Sequence, residues 1–205
     1  MIVLPGGAYA EHSPHEGEPI VQWLNGLGFA ASVFLYPLRV RHPAPLDAVR
    51  GEIRRLRQAG AERIGLIGFS AGGHLAGLAA LADGADADQG VEFAVLGYAI
   101  TSMQTETYRP SRLILLGEDP TPELRRATSL DALVTSSAPP FFIWHTAEDT
   151  YVPPEHTYLL AASLSANDVP HAGRDPGGRL IATTLKIAGS CDAGKPTSAE
   201  TLGAF

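Results

Sequence analysis

Arg63-Ile-Gly-Leu-Ile-Gly68-Phe-Ser70-Ala-Gly72-Gly-His-Leu75 is the stretch whose reading decides the fold. Residues 63–67 form an apolar run that reads as a strand, a glycine–serine turn follows, and the small residues of 73–81 read as a helix. Gly-x-Ser-x-Gly is a common pentapeptide by itself. Between a strand and a helix it becomes a sharp turn that lifts a serine hydroxyl clear of the sheet. Small neighbours let the backbone bend and let a substrate approach. The N–H of Ala71, at the helix N-terminus, points at any oxyanion that develops there. Ser70 is therefore the candidate nucleophile, and Ala71 a candidate oxyanion donor.

Outward from this turn, short β-rich runs alternate with helical patterns, the signature of a mostly parallel sheet with helices on both faces, an α/β fold. Residues 1–4, 29–36, 91–100 and 140–146 read as further strands. Residues 18–27 place Ile20, Trp23, Leu24 and Leu27 on one helical face, with Gly28 positioned to end the helix. Leu46, Val49, Ile53 and Leu56 give a second amphipathic helix, whose other face, with Arg50, Arg54, Arg55 and Arg57, is read as solvated. A short helix near 123–127 and a longer one over 155–166 complete the pattern.

The 205 residues suit one domain. With 15 Lys and Arg against 22 Asp and Glu, the net charge of −7 leaves no electrostatic footprint for nucleic acid. No apolar run approaches the length of a membrane span, and the N-terminus lacks a basic region followed by an apolar one, so the expected location is cytoplasmic. The single Cys191 excludes an internal disulfide and a thiolate zinc cluster. His12 and His15 stand in a Pro/Gly/Glu-rich loop without metal-ligand spacing, so neither a metal nor a cofactor is expected.

Two further stretches carry chemistry. Leu4-Pro-Gly6-Gly7-Ala8-Tyr9 is a glycine loop after a strand, where the backbone can approach an acyl carbonyl with its N–H groups exposed. Phe141-Phe-Ile-Trp-His145-Thr-Ala-Glu148-Asp149 is an apolar strand followed by a carboxylate pair. Asp149 is the candidate acid that orients a base and stabilises its imidazolium, and Glu148 reads as solvated.

Pro5-Gly-Gly-Ala-Tyr9, Gly68-Phe-Ser-Ala-Gly-Gly-His-Leu75 and His145-Thr-Ala-Glu-Asp149-Thr-Tyr-Val-Pro153 resemble the α/β-hydrolase carboxylesterases of the acetyl-xylan-esterase and BD-FAE-like type. Ser13-Pro-His-Glu-Gly-Glu-Pro19 and His42-Pro-Ala-Pro-Leu-Asp47 share that similarity, which runs from about residue 2 to 170. The resemblance implies an eight-stranded α/β-hydrolase fold, Ser70 as nucleophile, Asp149 as acid, and an oxyanion hole from the N–H groups of Gly7, Ala8 and Ala71. It implies that His74, one turn after Ser70, belongs to the helix and is not the base.

The sequence departs from that family at both ends. Such enzymes have strands before the oxyanion loop, which here begins at Pro5, and their catalytic histidine follows the acid by about thirty residues. Of the seven histidines, His156 and His171 alone follow Asp149. His156 falls in the first turn of a helix beside the acid loop, and His171 just before the last strand, at the wrong end of the sheet. Residues 1–171 are accordingly read as the hydrolase domain and 172–205 as an atypical tail, of the kind a frameshift or fusion produces. A fold shortened at both ends exposes a sheet edge, so a homo-oligomer is expected.

Three functions follow as expectations: a serine carboxylesterase acting on short, acetyl-type acyl esters; a catalytically impaired hydrolase-fold fragment; and a prolyl-oligopeptidase-like peptidase. The partner is a small-molecule ester in the first, with neither nucleic acid nor membrane involved.

Overall fold

The computed structural model describes residues 1–174 and 180–183. These contain seven strands in one sheet, ordered β2-β1-β3-β4-β5-β6-β7. They are β1 (Ile2–Leu4), β2 (Ser32–Val33), β3 (Gly65–Phe69), β4 (Phe93–Gly97), β5 (Phe141–Trp144), β6 (His171–Arg174) and β7 (Leu180–Thr183). β1 to β6 are mutually parallel, and β7 returns antiparallel to β6. The helices are α1 (Glu18–Gly26), α2 (Ala44–Gln58), α3 (Ser70–Leu81), α4 (Arg109–Leu116), α5 (Pro122–Ala127), α6 (Leu130–Leu133) and α7 (Glu155–Ala166).

Alternation along the strands sends side chains to two faces. Ile2, Leu4, Leu66, Ala94, Leu96, Phe141 and Ile143 join Val49 and Ile53 of α2, Leu75 of α3 and Leu160 of α7 in the main core. Val3, Ile67 and Phe69 face the other way and meet Val21 and Leu24 of α1. Helices thus cover both faces, as the alternating pattern predicts. The described residues hold seven strands against the eight that the family resemblance implies.

Four local expectations are corrected. On α1 the buried stripe is Val21 and Leu24, whereas Trp23 and Leu27 are each 57% exposed. α1 packs over β1 and β3 through Val3, Ile67 and Phe69, and only a narrow i, i+3 stripe of the helix meets them. The strand expected over 29–36 is reduced to the two residues of β2, with Leu35 63% exposed. β2 is an edge strand paired only with β1, so it has neither a second ladder nor a second covered face. The arginines of α2 are not a bare solvated face. Arg50 is buried and donates to the carbonyls of Ala82 and Asp83, beyond the C-terminus of α3. Arg54 pairs with Asp86 and Asp88 and Arg57 with Glu92, which fastens α2 to the segment before β4, while Arg55 pairs with Glu52 on α2 itself and stays exposed as read. Finally, His171, placed just before the last strand, and residues 172–174, read as the start of an atypical tail, together form β6. A parallel strand is specified by backbone pairing, here His171 with Phe141 through Arg174 with Trp144, which needs no amphipathic alternation. β6 crosses the proposed 171/172 boundary, and residues 184–205 lie outside the described residues.

Candidate active site

Parallel strands bring their C-terminal ends to one rim, where α/β sheets hold their ligands. β1 delivers the loop of residues 5–13 there, β3 delivers Ser70, β4 delivers Tyr98, and β5 delivers Asp149.

Ser70 has φ +50°, a left-handed conformation that costs a non-glycine residue about 1 kcal/mol or more. Phe69 before it is still extended, and α3 starts at Ser70, so the chain turns within a single residue. The flanking glycines are sterically required. A Cβ on Gly68 would lie 2.3 Å from the Gly72 carbonyl oxygen, and one on Gly72 would lie 2.1 Å from that of Leu4. The elbow therefore closes on itself and against the end of β1 at the same time.

The 5–13 loop is as constrained. Gly7, Ala8 and Tyr9 have φ of +118°, +58° and +62° in succession. The Gly7 carbonyl accepts from the N–H groups of Ala10 and Glu11, which turns the peptide plane so that the loop's early N–H groups face away. Among the described residues, the N–H groups of Gly7 and Ala8 donate to nothing, and the first N–H groups of α3, including that of Ala71, have no intrahelical acceptor. A Cβ on Gly6 would lie 3.1 Å from Ser70 Cβ, so the loop rests directly on the serine.

Two residues that the sequence reading did not single out fasten this loop. Glu16 is buried; its Oε2 accepts from Gly6 N–H at 2.7 Å, and its Oε1 accepts from the Tyr98 hydroxyl at 2.6 Å. Burial and the neighbouring Glu16 carboxylate push the Tyr98 phenol well above its usual range. The available signal was the Ser13–Pro19 similarity, which marks the stretch without saying which residue matters.

Asp149 follows β5 and is half-buried, with Glu148 beside it exposed, as expected. Its Oδ1 accepts from the N–H groups of Tyr151 and Val152, which fixes the carboxylate. Its Oδ2 has one partial neighbour, His145 Nε2 at 3.5 Å. Asp149 lines a cavity of about 320 Å³ together with Tyr98, Thr146, Glu148, Thr150 and Tyr151.

All seven histidines lie in the described residues, and none bonds to Ser70. His74 Nε2–H donates to the Thr128 carbonyl at 2.7 Å, so Nδ1 is free to accept from the buried Tyr9 hydroxyl, also at 2.7 Å. His145 Nε2–H donates to the Val152 carbonyl, and its Nδ1 accepts from Thr157. His156 is wholly buried. Its Nδ1 accepts from the N–H groups of Thr101 and Ser102, and its Nε2–H donates to the Glu106 carbonyl. His156, a weak sequence candidate for the base, thus has both nitrogens committed to backbone. His171, the other, starts β6 opposite Phe141, at the end of the sheet away from Asp149, and bonds to the Val169 carbonyl. His12 packs edge-on against Tyr36, His15 bonds to Ser13, and His42 lies before α2.

Burial sets a pH dependence. Burial lowers the His74 pKa to about 4, outweighing the Thr128 carbonyl, with His42 and His156 adding smaller lowering effects. Burial also lowers His12, His42, His145 and His156. A histidine depressed in the folded state binds its proton more readily when unfolded. Its contribution is therefore complete above about pH 6.5 and is lost as pH falls towards 4. For His74 alone the loss approaches roughly 3 kcal/mol. The urea midpoint is expected to fall steadily from pH 7 to pH 4.5; a flat midpoint over that window contradicts the assignment.

The BD-FAE family model matches residues 1–164. The chain belongs to the BD-FAE family. Among solved structures, an acetyl ester-xyloside bifunctional hydrolase from Caldicellulosiruptor lactoaceticus is 37% identical with a TM-score of 0.80, the match covering 85% of this chain and 70% of that one. A carboxylesterase from Lactobacillus plantarum is 29% identical with a TM-score of 0.71, covering 84% and 69%. Endo-1,4-beta-xylanase B of Butyrivibrio fibrisolvens is 31% identical over 192 residues, 84% of this chain, and the chain spans 30% of that protein's length. The sheet of this BD-FAE chain is an α/β-hydrolase fold, as its resemblance to carboxylesterases implies.

Proposed function

We propose that this BD-FAE protein is a carboxylic ester hydrolase that cleaves short-chain, acetyl-type esters through an acyl-enzyme on Ser70. The observation that carries the reading is the strained Ser70 on the β3–α3 turn, against a loop whose N–H groups at Gly7 and Ala8 have no acceptor among the described residues. Ser70 Oγ attacks the acyl carbon and gives up its proton. The carbonyl oxygen becomes an oxyanion held by the N–H groups of Gly7, Ala8 and Ala71. The C–O bond to the leaving group then breaks, and water later releases the acid. Similarity to an acetyl ester-xyloside bifunctional hydrolase and to a carboxylesterase supports the ester class and a short acyl group.

Asp149 Oδ2 is the acceptor that orients a protonated base in the adjoining cavity. No histidine of the 205 residues stands there, so the chain by itself relies on hydroxide or a small external base to take the serine proton. The activity is consequently low and favours activated esters, whose leaving groups need no proton. The test is p-nitrophenyl acetate hydrolysis in alkaline buffer beside Ser70→Ala and His171→Ala. Ser70→Ala is expected to lose at least about tenfold, and His171→Ala nothing. Equal rates in the parent and Ser70→Ala would overturn the reading.

A further inference from the structure

We propose that Glu16 is a positioning residue, which sets the oxyanion loop by holding the first N–H after β1; this rests on the esterase reading of the same site. Pro5 has no N–H, so Gly6 supplies the first donor of the loop, and Glu16 Oε2 takes it at 2.7 Å in a buried setting. A hydrogen bond to a buried carboxylate is short and strong, and fixes the plane of the peptide that donates it. The next three residues all have positive φ, an arrangement with little intrinsic preference of its own. Within the loop, Ser13 N–H on the Gly6 carbonyl and the Ala10 and Glu11 N–H groups on the Gly7 carbonyl set the peptides that carry the Gly7 and Ala8 N–H groups, and Glu16 fixes the Pro5–Gly6 peptide from which that folded unit departs, so it places the unit against Ser70. Tyr98 completes the anchor. Its hydroxyl holds Oε1 at 2.6 Å, and its own N–H is held by the Trp144 carbonyl at 2.7 Å, so the carboxylate is referenced to β4 and β5.

The absence of a side chain at residue 6 makes this possible. A Cβ there would be 2.8 Å from Glu16 Oε2, 2.9 Å from the Phe69 carbonyl oxygen and 3.1 Å from Ser70 Cβ. Carboxylate and nucleophile thus flank one glycine, and a change at Glu16 is felt where the oxyanion forms. A displaced donor counts almost as heavily as a missing one, since the loop's N–H groups act only at the oxyanion's position.

The test compares Glu16→Ala, Glu16→Gln and the parent in Ser70-dependent p-nitrophenyl acetate cleavage, and in amide hydrogen exchange of residues 5–13. Glu16→Ala should lower kcat by about 10²-fold with KM held within about twofold, the size of effect expected when an oxyanion donor is lost. It should also accelerate exchange in residues 5–13 without doing so in β3 to β5. Glu16→Gln, whose amide oxygen can still accept from Gly6, should recover most of both. A Glu16→Ala protein with parental kcat, or with its loop exchange unchanged, overturns the proposal. If the parent shows no Ser70-dependent turnover, the esterase reading fails on its own, and the exchange comparison still decides whether Glu16 holds the loop.

Discussion

Added imidazole is expected to raise Ser70-dependent cleavage of p-nitrophenyl acetate by roughly 10²-fold at saturation, the usual yield of a positioned general base. The Asp149 carboxylate is fixed through Oδ1 by two backbone N–H groups, and the residue lines an open, solvent-facing depression that an imidazole ring can enter. Bound there, imidazole would donate one N–H to Oδ2 and offer its other nitrogen to the serine proton. Imidazole also attacks this ester in free solution, so the quantity to compare is the increment over Ser70→Ala at the same imidazole concentration. N-methylimidazole has no N–H for Asp149 and should give much less. Asp149→Asn should lose most of the increment, because an amide neither stabilises the imidazolium nor selects its tautomer. A saturating increment that survives Asp149→Asn contradicts the role given to that carboxylate.

The second large effect is structural. Gly72→Ala is expected to destabilise the protein by at least about 3 kcal/mol, or to prevent folding, because overpacking against backbone leaves no side chain that can yield. Its Cβ would lie 2.1 Å from the Leu4 carbonyl oxygen and 2.4 Å from that of Pro5. Either α3 must retreat from the sheet or the oxyanion loop must shift from Ser70, and both dismantle the site. Gly77→Ala is the control on the same helix. Its Cβ would meet Leu130 Cδ1 at 2.3 Å, the far end of a side chain that can rotate, so a loss of about 1 kcal/mol is expected. Thermal unfolding of the two variants separates them. Equal stabilities would mean that the contact between the elbow and β1 is not the constraint it is taken to be.

The features legible in the sequence share a physical basis. The elbow is local: strand, glycine, serine, glycine and helix are contiguous, and the clash that demands Gly68 acts within five residues, although Gly72 is demanded by the distant Leu4 carbonyl. Asp149 is similarly marked by the strand immediately before it, and α7 by its unbroken helical run over Glu155–Ala166. Features built from contacts distant in the chain left no such mark. The Tyr98–Glu16 bond spans 82 positions, and Arg50 reaches carbonyls 32 and 33 positions away. A helical wheel shows that α1 has apolar residues at 20, 23, 24 and 27 but not how much of the helix the sheet can cover. The packing of Val21 and Leu24 against Val3, Ile67 and Phe69 uses one narrow stripe, and Trp23 and Leu27 stay outside. The fates of the histidines follow the same division. Chain order narrows the base to His156 and His171, but only the fold shows the former holding the backbone of Thr101 and Ser102 and the latter at the opposite end of the sheet.

The most direct test of the central claim is intact-mass analysis after brief exposure of the protein to p-nitrophenyl acetate. With no histidine bonded to Ser70 to activate water, deacylation should be slow enough for the acyl-enzyme to accumulate. The expected result is the mass of one acetyl group added per chain, located by proteolysis on the peptide carrying Ser70, absent from Ser70→Ala and discharged by imidazole. An ester cleaved at the same rate with no acyl group on Ser70, or with the group found elsewhere, would contradict it.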